Sequence, residues 1–415
     1  MLSIMRRTPF FVARVLAALV LVVSATTLRA QDLTPEQKEA VLKGIENVVM
    51  TKAFVPGVDF SKWPEFIAKQ KEALDKANDP TAFTSAVNRA LREFGFSHIR
   101  LQTPRAAAMR GRTQVVGPGL TATKDADGLA IRTVADKGPA KEVGLEPGDK
   151  IVKVDGKPAD DPKVLDGEKG TKMDIEVKKA NGETKTVTVE RKEYSIVRPE
   201  TLTWVDQETA MMRVPTFSAG YDRANIEKLM GEAAKAKYFI LDLRSNGGGA
   251  SNNLNHLLSL LLPDRTAYGV FISKRLATRY GEETKNPATD PVAIAKWAEQ
   301  KASTRKRSVE PFAGKIAVLI NRGSASASEI TAAALKENAG ALLVGARTAG
   351  AVLASVFGRL PEGFSIQYPV SDYVTIKGMR LEKNPLVPDA EVTGARDGDK
   401  DPVVDKAVEL LKAAK

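Results

Sequence analysis

The sequence predicts a multi-domain α/β protein, on three observations made along the chain. Residues 31–100 show the apolar spacing of amphipathic helices, residues 112–193 carry short strand patterns between Gly and Pro turns, and residues 194–415 alternate strands with helices. Alternating buried strands and helices are typical of an α/β layer built on a largely parallel sheet. We therefore expect a helical N-terminal domain, an inserted β-domain and an α/β core.

The first thirty residues have the order of a signal peptide. Arg6 and Arg7 precede an apolar stretch from Phe10 to Ala25, and Ala30 supplies a small residue at the expected cut. Export to the periplasm or the extracellular space is therefore expected, and an uncleaved N-terminal anchor is the alternative.

The composition excludes several kinds of site and partner. The chain of 415 residues has no cysteine, which excludes disulfides, thiolate metal sites and a cysteine nucleophile. Its net charge of +11 falls to +7 without residues 1–30, where four arginines lie, leaving 58 basic and 51 acidic residues. Because these charges are interspersed, the sequence predicts no nucleic-acid partner and at most a weak association with anionic membrane surfaces.

The helical domain is marked by a capping start and a glycine stop. The stretch from Thr34 to Gln37 has the form of a capping start, and apolar positions recur at helical intervals as far as Val49. Two further helical patterns lie within residues 66–94, and Gly95 ends the last of them.

The β-domain resembles a PDZ domain. Gly138-Pro-Ala140 and the stretch from Gly144 to Ile151 match the consensus of that family. The resemblance implies that Gly117, Gly119 and Leu120 lie in the loop that holds the C-terminal carboxylate of a peptide, which would add a strand to an open sheet edge. A domain that only packs against its own chain is the alternative.

A serine-rich turn is the centre of the predicted core. The stretch from Asn321 to Ile330 follows the apolar strand 315–320 and precedes a helical pattern. A strand that turns sharply into a helix presents a hydroxyl and backbone N–H groups at one point, as acyl transfer requires. Ser326 is therefore the candidate nucleophile, and helix capping by Ser324 with Glu329 nearby is the alternative.

A glycine-rich turn follows the buried strand 238–243. Its glycines, Gly247 to Gly249, leave backbone N–H groups free to face an anion. A phosphate site is one interpretation, but no Walker lysine follows. An oxyanion hole made by Gly247 or Gly248 with the N–H of Ala327 fits better.

Three motifs in order resemble the C-terminal processing, or tail-specific, serine peptidases: residues 242–249, 323–329 and 345–350, preceded by the PDZ-like segment. The resemblance implies that Ser326 is the nucleophile and that no metal or nucleotide cofactor is needed. One departure concerns the general base, since the lysine of that family directly follows Thr-x-Gly and here Ala351 follows Gly350. Lys336, Lys377 and Lys383 match no motif position.

The tricorn-like branch of the same family offers a different base. Gly95-Phe-Ser-His98 and the stretch 381–389 resemble its histidine and glutamate motifs. The resemblance assigns the catalytic set to Ser97, His98, Ser326 and Glu382. A neutral imidazole, with an ordinary pKa of about 6.5, can take a serine proton at neutral pH. A histidine that only closes the helical domain is the alternative.

Two remaining features are not expected to carry chemistry. His256 lies among leucines at helical spacing and lacks a second histidine at ligand spacing, so no metal site is expected. The polar run from Asn286 to Ser308 is expected to be a surface helix or a flexible excursion.

The sequence as a whole predicts an exported serine endopeptidase that hydrolyses protein or peptide substrates, with a PDZ domain that engages substrate tails. A non-catalytic PDZ-containing peptide-binding or scaffold protein that has kept the peptidase fold is the alternative, supported by the missing lysine. Because His98 and Ser326 fall in different domains, domain packing is expected to control activity.

Overall fold

The computed structural model describes residues 32–392, 394 and 400–413, so the predicted signal peptide lies outside the described residues. A helical region, a β-domain and an α/β core follow one another along the described chain, which confirms the predicted fold class. Within these ranges, no helix is both long and apolar enough to span a membrane.

The helical region shares its hydrophobic core with a distant strand. Its helices are α1 (Pro35–Thr51), α2 (Trp63–Ala68), α3 (Lys71–Lys76) and α4 (Pro80–Arg92), followed by β1 (Arg100–Gln102) and α5 (Pro104–Met109). Thr34 caps α1 as predicted, because its hydroxyl accepts from Gln37 N and its own N–H donates to Gln37 Oε1. The apolar faces of these helices pack on Phe364 and Ile366, which lie far along the chain in the core. The domain carrying His98 therefore shares a hydrophobic core with the α/β core.

The β-domain is joined to the rest of the chain by a two-stranded neck. Its elements are β2 (Gln114–Gly117), β3 (Leu120–Asp125), β4 (Gly128–Val134), α6 (Pro139–Glu142), β5 (Lys150–Val154), β6 (Lys157–Pro158), β7 (Lys172–Lys178), β8 (Thr184–Glu190) and β9 (Lys192–Ser195). The main sheet has the order β3-β4-β5-β7-β8, which places β3 at one edge. β2 pairs antiparallel with β9, so the chain enters and leaves this domain at one place.

The remaining elements form the core. In chain order they are β10 (Thr201–Trp204), β11 (Thr209–Arg213), α7 (Arg223–Ala233), β12 (Tyr238–Asp242), α8 (Ser251–Leu258), β13 (Ala267–Ser273), α9 (Lys274–Thr284), α10 (Pro291–Trp297), β14 (Ala302–Ser303), β15 (Lys315–Ile320), α11 (Ala327–Ala339), β16 (Leu342–Gly345), β17 (Ala354–Arg359), β18 (Ser365–Thr375), β19 (Ala390–Glu391) and α12 (Pro402–Ala413).

The core sheet has the order β10-β11-β12-β15-β16-β19 and is parallel from β11 onward. One face packs on α8 and α11, and α12 covers the other. The whole first part of α11 is buried, which its short Ala332-Ala-Ala334 side chains allow. Because β12, β15 and β16 are parallel neighbours, their carboxyl ends lie at one edge of the sheet, where ligand sites of α/β sheets are usually built.

A second core sheet fastens the N-terminal region. Its order is β1-β18-β13-β14, and β17 pairs with β18 as well. Arg100 to Gln102 of β1 pair antiparallel with Gln367 to Ser365 of β18. The run from Asn286 to Ser308, expected as a single surface helix or a flexible excursion, contains α10 and the edge strand β14. It is ordered there because Ile294 and Ala295 of α10 are buried in the cluster that includes Val270 and Ile272 of β13.

Candidate active site

The turn between β15 and α11 holds Ser326 in a strained backbone conformation. Its φ is 56° and its ψ is −117°, values that residues with a Cβ atom rarely adopt. The Ser326 N–H donates to Ala351 O at 2.9 Å and to Glu329 Oε2 at 3.1 Å. The Ser324 hydroxyl donates to Leu243 O at 2.8 Å and is therefore a structural member of the turn.

Glu329, one turn into α11, holds the turn that carries Ser326, the candidate nucleophile. Its side chain is fully buried and also accepts from the Thr348 hydroxyl at 2.6 Å, from Gly350 N at 2.8 Å and from Ala351 N at 3.0 Å. Burial raises the pKa of the Glu329 carboxyl, and these hydrogen bonds oppose that shift. Only a capping role for Glu329 was predicted from the sequence, because its partners at residues 348–351 are remote along the chain.

The glycine turn after β12 is tied to the nucleophile turn by Asn246, which is fully buried. Ala325 N donates to Asn246 O at 3.1 Å, and Gly248 N donates to Asn246 Oδ1 at 2.9 Å. Of the two glycines predicted as oxyanion donors, Gly248 therefore has an engaged N–H. In the part of the chain that the structure describes, the N–H groups of Gly247 and Ala327 have no hydrogen-bond partner.

The predicted base lies on the loop between α4 and β1. His98 Nδ1 is 2.6 Å from Ser97 Oγ, which in turn donates to Glu382 Oε2 at 2.8 Å. Ser97 N donates to the other carboxylate oxygen, Oε1, at 2.7 Å. Because the hydroxyl has one proton and gives it to the carboxylate, it accepts from the Nδ1–H of His98. We assign that tautomer to His98, and it leaves Nε2 free to accept a proton.

The surroundings of His98 favour its neutral form. Burial lowers the pKa of the imidazole below its ordinary value, since desolvation disfavours the charged ring. The Glu382 carboxylate opposes this shift, and the positive charge of Arg100 reinforces it. His98 is therefore unprotonated at neutral pH, as a general base must be.

A two-residue segment joins Ser326, the candidate nucleophile, to the Glu382 carboxylate. Ala351 O accepts from Ser326 N, and the N–H of the next residue, Val352, donates to Glu382 Oε2 at 2.8 Å. These two bonds and the dimensions of one peptide unit place Ser326 N within about 8 Å of Glu382 Oε2. Among the described residues, no hydrogen bond links His98 directly to Ser326; such bonds are often long in serine sites without substrate.

Ala351 occupies the position at which a base-supplying lysine would be expected. Its backbone contacts Ser326 and Glu329, and its side chain is a methyl group. Lys336 forms an ion pair with Asp389 instead. Lys383 is exposed, and its backbone N donates to Gly350 O at 2.8 Å.

The predicted carboxylate loop of the β-domain lies at the corner between β2 and β3. Gly117, Gly119 and Leu120 are all buried. Gly119 has a φ of 78°, and a Cβ atom there would lie 2.8 Å from Gly138 Cα, so only glycine fits. The neighbouring strand, β3, is an edge strand of its sheet.

His256 is a buried core residue on α8. Its Nδ1 lies 2.9 Å from the Tyr221 hydroxyl, and its Nε2 lies 3.0 Å from Glu227 Oε1. Both ring nitrogens therefore have protein partners. Within the described ranges, no group of three or more His, Cys, Asp or Glu residues is placed to hold a metal ion.

Comparison with known protein families assigns both domains. Residues 208–392 match the family described as "Peptidase family S41", and residues 116–194 match the family described as "PDZ domain".

Several named proteins are similar to most of the chain. The chloroplastic C-terminal processing peptidase of Tetradesmus obliquus is 28% identical over 402 residues, covering 89% of this chain and 80% of that protein. The tail-specific protease of Haemophilus influenzae is 27% identical over 320 residues, covering 70% of this chain and 42% of that protein. The carboxyl-terminal-processing protease of Synechocystis sp. is 28% identical over 293 residues, covering 68% and 63%. The chain thus spans less than two thirds of the length of the latter two relatives.

Solved structures share the fold. The tricorn protease superposes with a TM-score of 0.51 and 16% identity over 90% of this chain and 37% of that chain. At this level of identity, the similarity concerns the fold alone.

Proposed function

Because the chain is a serine peptidase of family S41 with a PDZ domain, we propose that it is an endopeptidase in which Ser326 is the nucleophile and His98 the general base. The observation that supports this assignment best is the Ser97 hydroxyl, which bridges His98 Nδ1 and the Glu382 carboxylate. That contact fixes the imidazole tautomer, as the carboxylate of a catalytic triad does.

The proposed reaction is acyl transfer in two steps. Ser326 Oγ attacks the carbonyl carbon of the peptide bond and passes its proton to His98 Nε2. The resulting imidazolium gives that proton to the leaving amine, which departs and leaves an ester on Ser326. A water molecule then gives a proton to His98 and attacks the ester, and the imidazolium returns that proton to Ser326 Oγ as the acid product leaves. Ser97 and Glu382 stabilise the imidazolium in each step.

Two backbone donors are available for the oxyanion. Ala327 N–H follows the nucleophile at the start of α11, and Gly247 N–H belongs to the turn that Asn246 ties to it. We assign the oxyanion hole to these two groups, with Gly248 providing the close approach of the two turns. A Cβ atom on Gly248 would lie 2.9 Å from Ala327 N.

The remaining parts of the proposal concern substrate and location. A peptidase with a PDZ domain acts on proteins or peptides. Substrate tails would add a strand to β3, with the carboxylate at Gly117, Gly119 and Leu120. Residues 1–30 would direct export to the periplasm or the extracellular space, and the surplus of basic residues would support at most a weak contact with anionic membrane surfaces.

A scaffold protein without activity is the second candidate, favoured by the methyl group of Ala351 at the position of a lysine base. Hydrolysis of an unfolded model protein by the full chain, measured from pH 5 to pH 9, separates the two. We expect the Ser326→Ala and His98→Ala variants to lose at least about 1,000-fold in kcat/KM. Lys383→Ala, which changes an exposed lysine beside the same loop, is the matched control and should retain activity.

The outcomes are distinct. Loss of activity in Lys383→Ala but not in His98→Ala would refute the proposed base. An inert parent chain that still binds peptides would support the scaffold function. Equal activity in the parent and Ser326→Ala would overturn the assignment of the nucleophile.

A further inference from the structure

A cationic cavity lies beside the first turn of α8. Its volume is about 630 Å³; it is open to solvent on one side and lined by the start of α8, the edge strand β14 and the segment that follows β14. Its charged lining residues are Arg223, Lys301, Arg305 and Arg307. No Asp or Glu of the described chain is among the residues that line it, so the cavity has a purely positive charge.

None of these four cations is paired with a carboxylate among the described residues, so each can still bind an anion. Arg223 donates to the neutral Asn253 Oδ1 at 3.1 and 3.0 Å, and Lys301 Nζ donates to Ala298 O at 3.0 Å. In the described ranges, no carboxylate lies within 4 Å of the guanidinium groups of Arg305 and Arg307. The Nε of Arg307 is shielded from solvent and lacks a hydrogen-bond partner among the described residues. Because a ligand cannot reach that buried atom, the donors open to an anion are the terminal guanidinium N–H groups of Arg305 and Arg307.

The segment that carries the arginines is held in place. Asn255 Nδ2 donates to Ser303 O at 2.7 Å, and the Thr304 hydroxyl donates to Pro263 O at 2.6 Å. Arg305 N donates to the Ser259 hydroxyl at 2.9 Å. The backbone from Ser303 to Arg305 is therefore fixed before any ligand arrives, which lowers the entropic cost of binding.

The cavity is close to the glycine turn of the candidate active site. Asn252, on its wall, follows Gly248 by four residues, which bounds the distance between their Cα atoms at about 14 Å. An extended peptide covers that distance with four or five residues. A substrate whose scissile bond lies at Ser326 can therefore place a nearby group in the cavity.

We propose that this cavity is a subsite for a carboxylate of the peptide substrate, a few residues from the bond that is cleaved. Guanidinium groups bind carboxylates through paired N–H donors, and Arg305 and Arg307 supply two such groups. The carboxylate can come from an acidic side chain or from the end of the chain. The substrate assignment rests on the proposed peptidase function, and the carboxylate site itself does not.

The test measures binding without turnover. Fluorescein-labelled peptides are titrated into full-length Ser326→Ala protein, with anisotropy as the readout, in two matched pairs: an internal Glu against Gln, and a free C-terminal acid against its amide. We expect tighter binding of the carboxylate member of at least one pair. Replacing Arg305 and Arg307 by Ala should reduce that preference by about tenfold or more, as for a hydrogen bond to a charged group. Arg92→Ala, an exposed arginine on α4, is the matched control.

The pair that responds identifies the source of the carboxylate. Loss of the Glu preference indicates a side chain, loss of the acid preference indicates the terminus, and either result supports the site. Arg305→Glu, at an exposed position that does not threaten folding, should shift the preference from Glu to Lys peptides. The proposal would be overturned if Ser326→Ala protein with both arginines in place showed no preference for a carboxylate peptide. It would also be overturned if the arginine substitutions left that preference unchanged. Because binding is measured in Ser326→Ala protein, these results stay separate from any failure to detect hydrolysis.

Discussion

Replacing Ser97 by alanine tests the proposed hydrogen-bond link between His98 and Glu382. The Ser97 hydroxyl lies 2.6 Å from His98 Nδ1 and 2.8 Å from Glu382 Oε2, so the substitution removes the contact through which the carboxylate reaches the imidazole. Glu382 itself stays in place, because Ser97 N and Val352 N still donate to it. The variant therefore removes the link to His98 and retains the carboxylate.

The expected effect follows from the charge that develops on His98. When His98 takes the Ser326 proton, its Nδ1–H becomes a charged donor, and a hydrogen bond to a charged group contributes about 1.5–3 kcal/mol. One factor of ten in rate corresponds to about 1.4 kcal/mol, so kcat should fall roughly 10- to 150-fold. KM should change little, since the hydroxyl does not face the substrate. Threonine, which keeps the hydroxyl, should recover part of the rate.

The assay is steady-state hydrolysis of a quenched fluorescent peptide by full-length parent, Ser97→Ala and Ser97→Thr proteins. Ser85→Ala is the matched control, because the exposed Ser85 hydroxyl donates to Thr81 O within α4, away from His98 and Ser326 in the sequence. Thermal melting verifies that each variant is folded. If kcat of folded Ser97→Ala stays within about threefold of the parent, the bridging role is refuted.

Three other substitutions test separate parts of the site. Arg100→Gln removes a charge that helps to lower the pKa of His98, so that pKa should rise and the acid limb of the kcat/KM profile should move to higher pH; an unchanged limb would contradict the assignment of His98. Glu329→Gln should lower both kcat and the melting temperature, because an amide cannot accept from all its donors and each unsatisfied buried donor costs about 1–3 kcal/mol; parent-like values would exclude its organising role. Gly248→Ala places a Cβ atom 2.7 Å from Ser326 Cβ at a φ of 88°, so activity should fall by about 100-fold or more, whereas Gly231→Ala, with open space around it, should be neutral.

Local patterns predicted the parts of the site that lie within one strand and its following turn. The buried strands before Gly247 and Ser326, and the small residues after them, indicate two turns at one sheet edge because parallel strands align their carboxyl ends. The fold class was predicted on the same basis and is confirmed. The assignment of Ser326 stays a prediction until activity is measured.

The histidine and its partners could not be predicted from local patterns. Ser97 and Glu382 are 285 residues apart, and no periodicity links them. Only the resemblance to the tricorn-like branch placed them in one set, and the structure brings them within hydrogen-bond distance. The four hydrogen bonds of Glu329 and the hydrogen bond from Gly248 N to Asn246 were not predicted. Both depend on how turns that are separate in the sequence pack together in the fold.

The polar run from Asn286 to Ser308 shows that a polar stretch of sequence is not necessarily exposed to solvent. Its many charged side chains suggest a solvated excursion, yet α10 buries Ile294 and β14 joins a sheet. Its cations line a cavity because Thr304 and Arg305 are hydrogen-bonded to the turn before β13 and to the end of α8. A charged stretch of sequence does not indicate which hydrogen bonds will fix its backbone.

The pairing of β1 with β18 has a consequence for the newly made chain. Arg100 and Gln367, which face each other in this ladder, are 267 residues apart, and His98 lies two residues before the first of them. A ribosome releases the helical region long before β18 exists, so the histidine has no strand to dock on during most of synthesis. The proposed base and nucleophile can meet only after β18 and Glu382 have emerged. A half-made chain therefore contains the proposed base but neither the proposed nucleophile nor Glu382, and the order of synthesis itself delays the appearance of proteolytic activity.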